Sequence, residues 1–436
     1  MFTEKAFAMY PEYQKFYLFD YLKESNDVDP AVLHYLKYEL DKKIYYFGEH
    51  FRHPVEGGPW LTRRMRMALK RCLISTVGIM RKNHQSIGGS ILSNAYFSIN
   101  RELERLGFAV HCPVWGIRNL DHIYPDRHLA GAAFRIERKF TKEDYRTLIE
   151  KPFIEEIHRF KELLADSISR KRMSALCVPN DLSFFHRVSI DVFKEAHLPT
   201  FLFLHGLPGR YNDIDDNRTD YLVVWGPRIK ELYVKAGVDE SKILISGHSL
   251  YQRFTQEELQ FDLGDVLVLD KPQSGAPFTS NAVILSDRGN SIIYLMMVQR
   301  VLKGLGVTSV RLRPHPSASG AWYLKFVEGS FFRLDPLPLE QSLRRATLVI
   351  GPTSSVLLEA MHYGTNYVLF EPSKEDRDLV NYHLVPPFDG SDARIPLARD
   401  EKELESLLKN KIRIDCSAWH DYIQTPFSID FMKQLV

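Results

Sequence analysis

The 436-residue sequence is short of the features that mark several large protein classes. It has four cysteines (Cys72, Cys112, Cys177 and Cys416), far apart and with no CxxC pair and no Cys/His cluster. That spacing excludes a disulfide framework and a structural zinc site, and leaves reduced thiols as the expectation. Charge of one sign is missing too: 57 Lys and Arg stand against 55 Asp and Glu, a formal net charge of +2. No global field therefore advertises a nucleic-acid partner. No apolar run approaches the roughly 20 residues that cross a bilayer. The opening stretch MFTEKAFAMYPEYQKF carries charges where a secretory signal needs an apolar core. The expectation is a cytoplasmic protein, at most peripheral to the inner membrane. HExxH is absent, and with it the commonest helical zinc signature.

What is present is the material of a folded enzyme. Hydrophobic residues make up 44% and charged residues 26%, which argues against disorder. The length exceeds what one hydrophobic core serves, so an α/β chain of two domains is expected. Residues 1–60 read as a helical appendage, with Phe16, Tyr17, Phe19, Tyr21 and Leu22, then Val32, Leu33, Tyr35, Leu36 and Leu40, at helix spacing. A membrane-surface helix is the alternative there, set against acidic residues interleaved with the basic ones.

Residues 61–250 read as a first Rossmann-like domain. A strand is expected at 72–79, a glycine loop at Gly88-Gly89, a helix at 90–106 and an apolar run at 108–115. Further short apolar runs fall at 175–178, 200–204 and 221–225. Residues 251–436 repeat the scheme as a second Rossmann-like domain. Strands are expected at 265–269, 307–312, 348–350 and 367–370, with helices at 292–305 and 355–363. A helical segment near 400–410 leads into a tail that returns to the first domain. The basic run Arg63-Arg64-Met65-Arg66 reads as a solvated face, with contact to anionic lipid as the alternative.

The densest motif is Gly351-Pro352-Thr353-Ser354-Ser355, which ends a strand and leads into a helix carrying Glu359. Hydroxyls and unpaired backbone N–H groups at such a junction suit a phosphate, and a carboxylate one turn further suits ribose hydroxyls. Simple helix capping by Thr353 or Ser354 is the plainer alternative. A second motif, Arg313-Pro314-His315-Pro316, also ends a strand; two prolines hold an imidazole able to donate to phosphate, with a permanent cation beside it. Ligands of open α/β sheets bind at such strand ends. In the first half, Leu204-His205-Gly206 leaves a strand and precedes the acidic run Asn212-Asp213-Ile214-Asp215-Asp216. His205 is a candidate general base; Asp213 and Asp216 are candidates for base or nucleophile, against the alternative of a solvated loop. Gly247-His248-Ser249-Leu250-Tyr251 imitates a nucleophile elbow but lacks its closing glycine, so a hydrolase triad is rejected.

The His315-Pro316 pair followed by Ser354-Ser355 resembles the HP and SS motifs of bacterial GT-B glycosyltransferases that use CMP-activated sugars. Sialyltransferases and the retaining β-Kdo transferases of capsule and O-antigen assembly belong to that group, and the CDP-glycerol polymerases are similar at the same places. The resemblance covers motifs in the second half and architecture in the first. It implies two Rossmann-like domains facing across a cleft, with His315, Ser354 and Ser355 on the phosphate and cytidine. Many retaining enzymes that use UDP- or GDP-sugars carry a Glu eight residues before the one matching Glu359; Gly351 stands there instead. The expected activity is transfer of a sugar from a CMP-linked donor, Kdo first and sialic acid second, onto a glycan or glycolipid of the bacterial surface. The donor-site residues are Lys271, Arg313, His315, Pro316, Thr353, Ser354, Ser355 and Glu359. Arg313 and Lys271 are the cations for the donor's carboxylate, and neither a metal nor a separate cofactor is expected. A UDP-sugar epimerase, a CDP-glycerol-type phosphotransferase and a catalytically silent scaffold remain as alternatives.

Overall fold

The computed structural model of the protein describes residues 29, 32–36, 39–40, 89–95, 99–113, 115, 126–142, 147–209, 211–213, 217–270, 288–315, 320–374, 377–378 and 384–436. The expected strand at 72–79 and the basic run lie outside them.

The first sheet is entirely parallel. It contains β1 (Ser90–Ser93), β2 (Ala109–His111), β3 (Met173–Val178), β4 (Thr200–Phe203), β5 (Tyr221–Val224) and β6 (Ile243–Ile245), in the order β2-β1-β3-β4-β5-β6. Its side chains alternate between two cores. Leu92, Leu176, Val178, Leu202 and Leu222 face the helices α2 (Arg127–Lys142), α3 (Lys151–Arg170) and α4 (Phe184–Glu195). Ile91, Ala175, Cys177, Phe201 and Val223 face α1 (Asn100–Arg105) and the end of the chain. A sheet covered on both faces is what a run of short, continuously apolar strands requires.

The second sheet is parallel as well. β7 (Val266–Leu269), β8 (Val310–Arg313), β9 (Phe332–Leu334), β10 (Leu348–Gly351), β11 (Tyr367–Phe370) and β14 (Leu397–Ala398) lie in the order β14-β11-β10-β7-β8-β9, while β12 (Ser373–Lys374) and β13 (Arg377–Asp378) make a separate hairpin. Val266, Val268, Leu348 and Ile350 pack on Tyr294, Leu295, Val298 and Leu404; Leu267, Leu269, Val349 and Leu369 pack on Leu357, Leu358 and Met361. Among the described residues, two parallel six-stranded sheets, each wrapped by helices, make a two-domain Rossmann-like α/β architecture.

The expected helix at 90–106 is corrected. Its first residues form β1, and among the described residues of that span the α-helix is Asn100–Arg105. Ile91 and Leu92 bury themselves in opposite cores, one on each face of the sheet. Consecutive residues do that in a strand and not on one face of a helix.

One apolar core runs from α2–α4 through Tyr251, Leu259, Trp419 and Tyr422 to the inner face of the second sheet. The chain then returns to the first domain. Gln424 N donates to Trp225 O at 2.8 Å and Ser428 N to Ser246 O at 2.8 Å, and Phe427, Ile429 and Met432 complete the far face of the first sheet. At the other end, residues 32–36 and 39–40 are helical, and Val32, Leu33, Tyr35, Leu36 and Leu40 are buried in the same core as α4. Among the described residues no helix is long and apolar enough to cross a membrane.

Candidate active site

Parallel order places the C-terminal ends of all six strands of a sheet along one edge, and the chemistry collects there. β3 and β4 are in register, Val178 beside Leu202, so the turns that leave them are neighbours. The exposed His205 ring uses this: its Nδ1 lies 2.9 Å from Pro179 O. A carbonyl only accepts, so Nδ1 carries the hydrogen. In the neutral ring Nε2 then holds the lone pair, which is the arrangement a general base needs.

The next residue, Gly206, reaches the other domain. A β-carbon built there would lie 3.9 Å from Ser355 Oγ. The strand exit that carries His205 is thus brought against the hydroxyl-rich turn that follows β10. That turn is tightly built. Tyr367 donates its hydroxyl to Pro352 O, and Thr353 N donates to Oε1 of the fully buried Glu371. Ser354 Oγ accepts from Val356 N at 3.2 Å, so capping of α6 (Val356–His362) falls to this hydroxyl. Ser355, at the N-cap position itself, makes no side-chain cap bond, and Thr353 Oγ1 is buried with no hydrogen-bond partner. Two of the three hydroxyls therefore remain for something other than the helix. α6 has only seven residues, so its dipole adds little, and the hydroxyls and turn amides are the relevant groups.

Gly351 has a steric reason. A β-carbon at this position would collide with the Tyr367 hydroxyl and lie 3.2 Å from Leu269 Cβ. A glutamate has no room here, so the pair of glutamates eight residues apart is barred by packing.

Glu359 sits one turn into α6. Burial raises its carboxyl above the ordinary glutamate value, while a hydrogen bond from Tyr251 and the charge of Arg313 oppose the shift. Tyr251 is itself held among rings. It stacks on His248 at 4.2 Å and 17°, meets Trp419 edge-on at 5.6 Å, and lies 4.8 Å from His362. Burial pushes the phenol up and, with His362 nearby, pushes the His248 imidazole down to about 3. Tyr251 is a residue that the sequence reading missed. It lay inside the motif dismissed as a false nucleophile elbow, and nothing in the spacing pairs it with Glu359.

Arg313 is committed elsewhere. Its Nη1 donates to Asp335 Oδ2 at 3.1 Å, Leu337 O at 2.5 Å and Ser342 Oγ at 3.3 Å, and Arg311 holds the other oxygen of the same buried carboxylate at 3.2 Å. Its charge still reaches Glu359, but as a bracing cation more than a loose one. His315 is exposed two residues beyond β8. β8, β7 and β10 are consecutive in the sheet, so His315 and the 351–355 turn lie at one edge, about 10 Å apart at two strand spacings. The order jumps between β7 and β10, and such a switch point is where open α/β sheets bind ligands. Lys271 and Pro316 lie outside the described residues.

Asp213, a candidate for base or nucleophile, is placed beside Gly237. A β-carbon at Gly237 would be 3.6 Å from Asp213 Cβ and 3.7 Å from Oδ2. Gly237 follows α5 (Pro227–Lys235), which runs back from the end of β5 toward the start of β6, so this is the opposite edge of the sheet. The reason is topological. The connection from β4 to β5 must run back along the sheet to keep the strands parallel, and Asp213 lies on it. Asp215 and Asp216 lie outside the described residues. Asp220 is a structural residue, accepting from Thr200 N at 3.0 Å and Thr200 Oγ1 at 2.7 Å.

No protein-family model matches the chain, and no curated protein matches it in sequence. Among solved structures it is similar to the UDP-GlcNAc 2-epimerase from Neisseria meningitidis bound to UDP-GlcNAc, at 9% identity over 79% of this chain and 96% of that one, with a TM-score of 0.44. It is similar to MurG of Acinetobacter baumannii, at 8% identity over 79% and 98%, TM-score 0.44. It is also similar to the apo form of the lipopolysaccharide outer core galactosyltransferase WaaB, at 10% identity over 79% and 96%, TM-score 0.41. Likeness this remote assigns no chemistry to the chain, because one architecture carries many activities.

Proposed function

We propose that the protein is a glycosyltransferase that moves a sugar from a nucleotide-activated donor to a hydroxyl of an acceptor. The observation that carries this is the approach of Gly206 to Ser355: the strand exit that carries a base-competent imidazole in one domain meets the hydroxyl turn of the other. In this reading the donor's phosphate rests on the 351–355 turn and His315, and Glu359 receives its ribose hydroxyls. The acceptor hydroxyl gives its proton to Nε2 of His205 and bonds to the anomeric carbon. The bond from that carbon to the phosphate oxygen breaks, and the nucleotide leaves with the electron pair. Stabilising charge on the departing phosphate is then the main task of the second domain.

CMP is the nucleotide we favour and Kdo the first sugar, on the strength of the His315-Pro316 and Ser354-Ser355 resemblance. The bar against a glutamate at position 351 supports a donor class apart from the enzymes that carry one there. The cation such a donor's carboxylate needs falls to Lys271 more than to Arg313, whose Nη1 is spent on Asp335, Leu337 and Ser342. A glycan or glycolipid of the cell surface is the acceptor this donor class serves. The test is thermal unfolding with CMP, CDP, UDP and GDP at equal concentration, since a ligand of the native state raises its melting temperature. CMP should give the largest rise; a clear preference for UDP contradicts the Kdo and sialic-acid readings together.

A further inference from the structure

The first sheet has its own switch point. The chain passes from β1 to β2 on one side and then returns to place β3 on the other, so the crevice of this domain opens between the ends of β1 and β3. The residues leaving those ends are Asn94 and Asn180, and a buried histidine joins them. His186, near the start of α4, is 7% exposed; its Nδ1 lies 3.0 Å from Asn180 Oδ1 and its Nε2 2.6 Å from Asn94 Nδ2.

The hydrogens of this chain can be assigned from its fixed end. Leu182 N and Ser183 N both donate to Asn180 Oδ1, at 3.1 and 3.4 Å, so that atom is the oxygen. His186 Nδ1 must therefore be the donor to it, and in the neutral ring Nε2 accepts from Asn94 Nδ2. The Asn94 carboxamide is thus held in one orientation. Asn94 is half-buried, with a buried imidazole behind it. The same turn governs His205, whose Nδ1 donates to Pro179 O, the residue before Asn180. One turn after β3 therefore sets two imidazoles. β1, β3 and β4 are adjacent, so Asn94 and His205 stand about 10 Å apart at the same edge.

We propose that Asn94 is a binding residue for the acceptor, taking a neutral hydroxyl group of a sugar or polyol, and that His186 is its positioning residue. A carboxamide both donates and accepts, as a sugar hydroxyl does, and Asn94, Asn180 and neutral His186 present no charge that favours an ionic group. The proposal rests on the glycosyltransferase reading, since it supplies the second substrate of the reaction that His205 serves there.

The experiment is saturation-transfer-difference NMR on the full chain with CMP and two neutral probes, methyl β-D-galactoside and the methyl β-glycoside of N-acetylglucosamine. The wild type should transfer saturation to CMP and to at least one sugar. Asn94→Ala should lose most of the sugar signal, about fivefold or more, with the CMP signal kept. His186→Ala should lose it as well, whereas His186→Gln, which can still offer Asn94 an acceptor, should restore more than half. A merely structural histidine would not distinguish those two variants in sugar signal at matched melting temperature. Equal sugar signals in the wild type and Asn94→Ala overturn the proposal, as does a wild type that saturates CMP and neither sugar. A wild type that saturates a sugar in an Asn94-dependent way but never CMP leaves the subsite standing and overturns the donor reading instead.

Discussion

Gly206 lies against Ser355, with 3.9 Å between the place of a β-carbon at 206 and the serine oxygen. This is ordinary van der Waals distance, so a methyl group fits, and a larger side chain would reach into the space beside Ser355 where the donor's phosphate is proposed to rest. Gly206→Ala should bind CMP within about threefold of the wild type. Gly206→Leu should lose about tenfold or more, because overpacking costs about 1–3 kcal/mol. Equal affinity of both variants, measured by calorimetry, would mean that the nucleotide sits away from this contact.

His205→Ala should lower transfer by about 10²–10⁴-fold, the usual contribution of a general base, while leaving nucleotide affinity unchanged. Asp213→Asn should retain transfer within a few-fold, since that carboxylate lies beside Gly237 at the far edge of the sheet. A reversed outcome in a steady-state transfer assay, with Asp213 essential and His205 dispensable, contradicts the assignment of the base.

Glu359 should show a conflict between stability and binding. Its carboxyl is raised chiefly by burial, so the stability it contributes is full below the ordinary glutamate value, about 4.3, and is lost as pH rises through its folded value. Glu359→Gln keeps an acceptor for Tyr251 and removes the buried charge. The variant should melt above the wild type at pH 8, the difference should shrink toward pH 4.5, and CMP affinity should fall about tenfold. A variant that melts lower at pH 8 than at pH 4.5 relative to the wild type opposes this.

The His248 imidazole is held down to about 3 by burial and by His362, against about 6.5 in an unfolded chain. Between those values the unfolded chain takes a proton that the folded one refuses. Stability is therefore present above about 6.5 and declines as pH falls toward 3. His248→Phe, which keeps the ring against Tyr251 and Trp225, should lose less melting temperature between pH 7 and pH 5 than the wild type does. Parallel curves would show that His248 titrates alike in both states.

Much of the fold was legible because its strands are buried on both faces. Runs such as Tyr221–Val224 and Tyr367–Phe370 are apolar without alternation, and short runs of that kind between polar loops read as parallel strands. β1 was misread because Ile91, Leu92, Ala95, Ile99 and Leu103 also suit a helical period, and only pairing with β2 and β3 decides the matter. The Thr353–Ser355 turn was legible from its hydroxyls, but the division of labour within it was not: Ser354 caps while Ser355 does not. The acidic run after His205 looked like a partner for it because the two are close in sequence. The crossing from β4 to β5 carries Asp213 away, whereas Pro179 and Tyr251, distant in the chain, come to the site.

The central claim is that the donor nucleotide is held by the 351–355 turn and His315. Calorimetric titration of CMP into the wild type, Ser355→Ala and His315→Ala tests it directly. Loss of a charge-assisted hydrogen bond to phosphate costs about 1.5–3 kcal/mol, so each variant should bind about ten- to a hundredfold more weakly at an unchanged melting temperature. CMP affinity equal to that of the wild type in both variants would contradict the account.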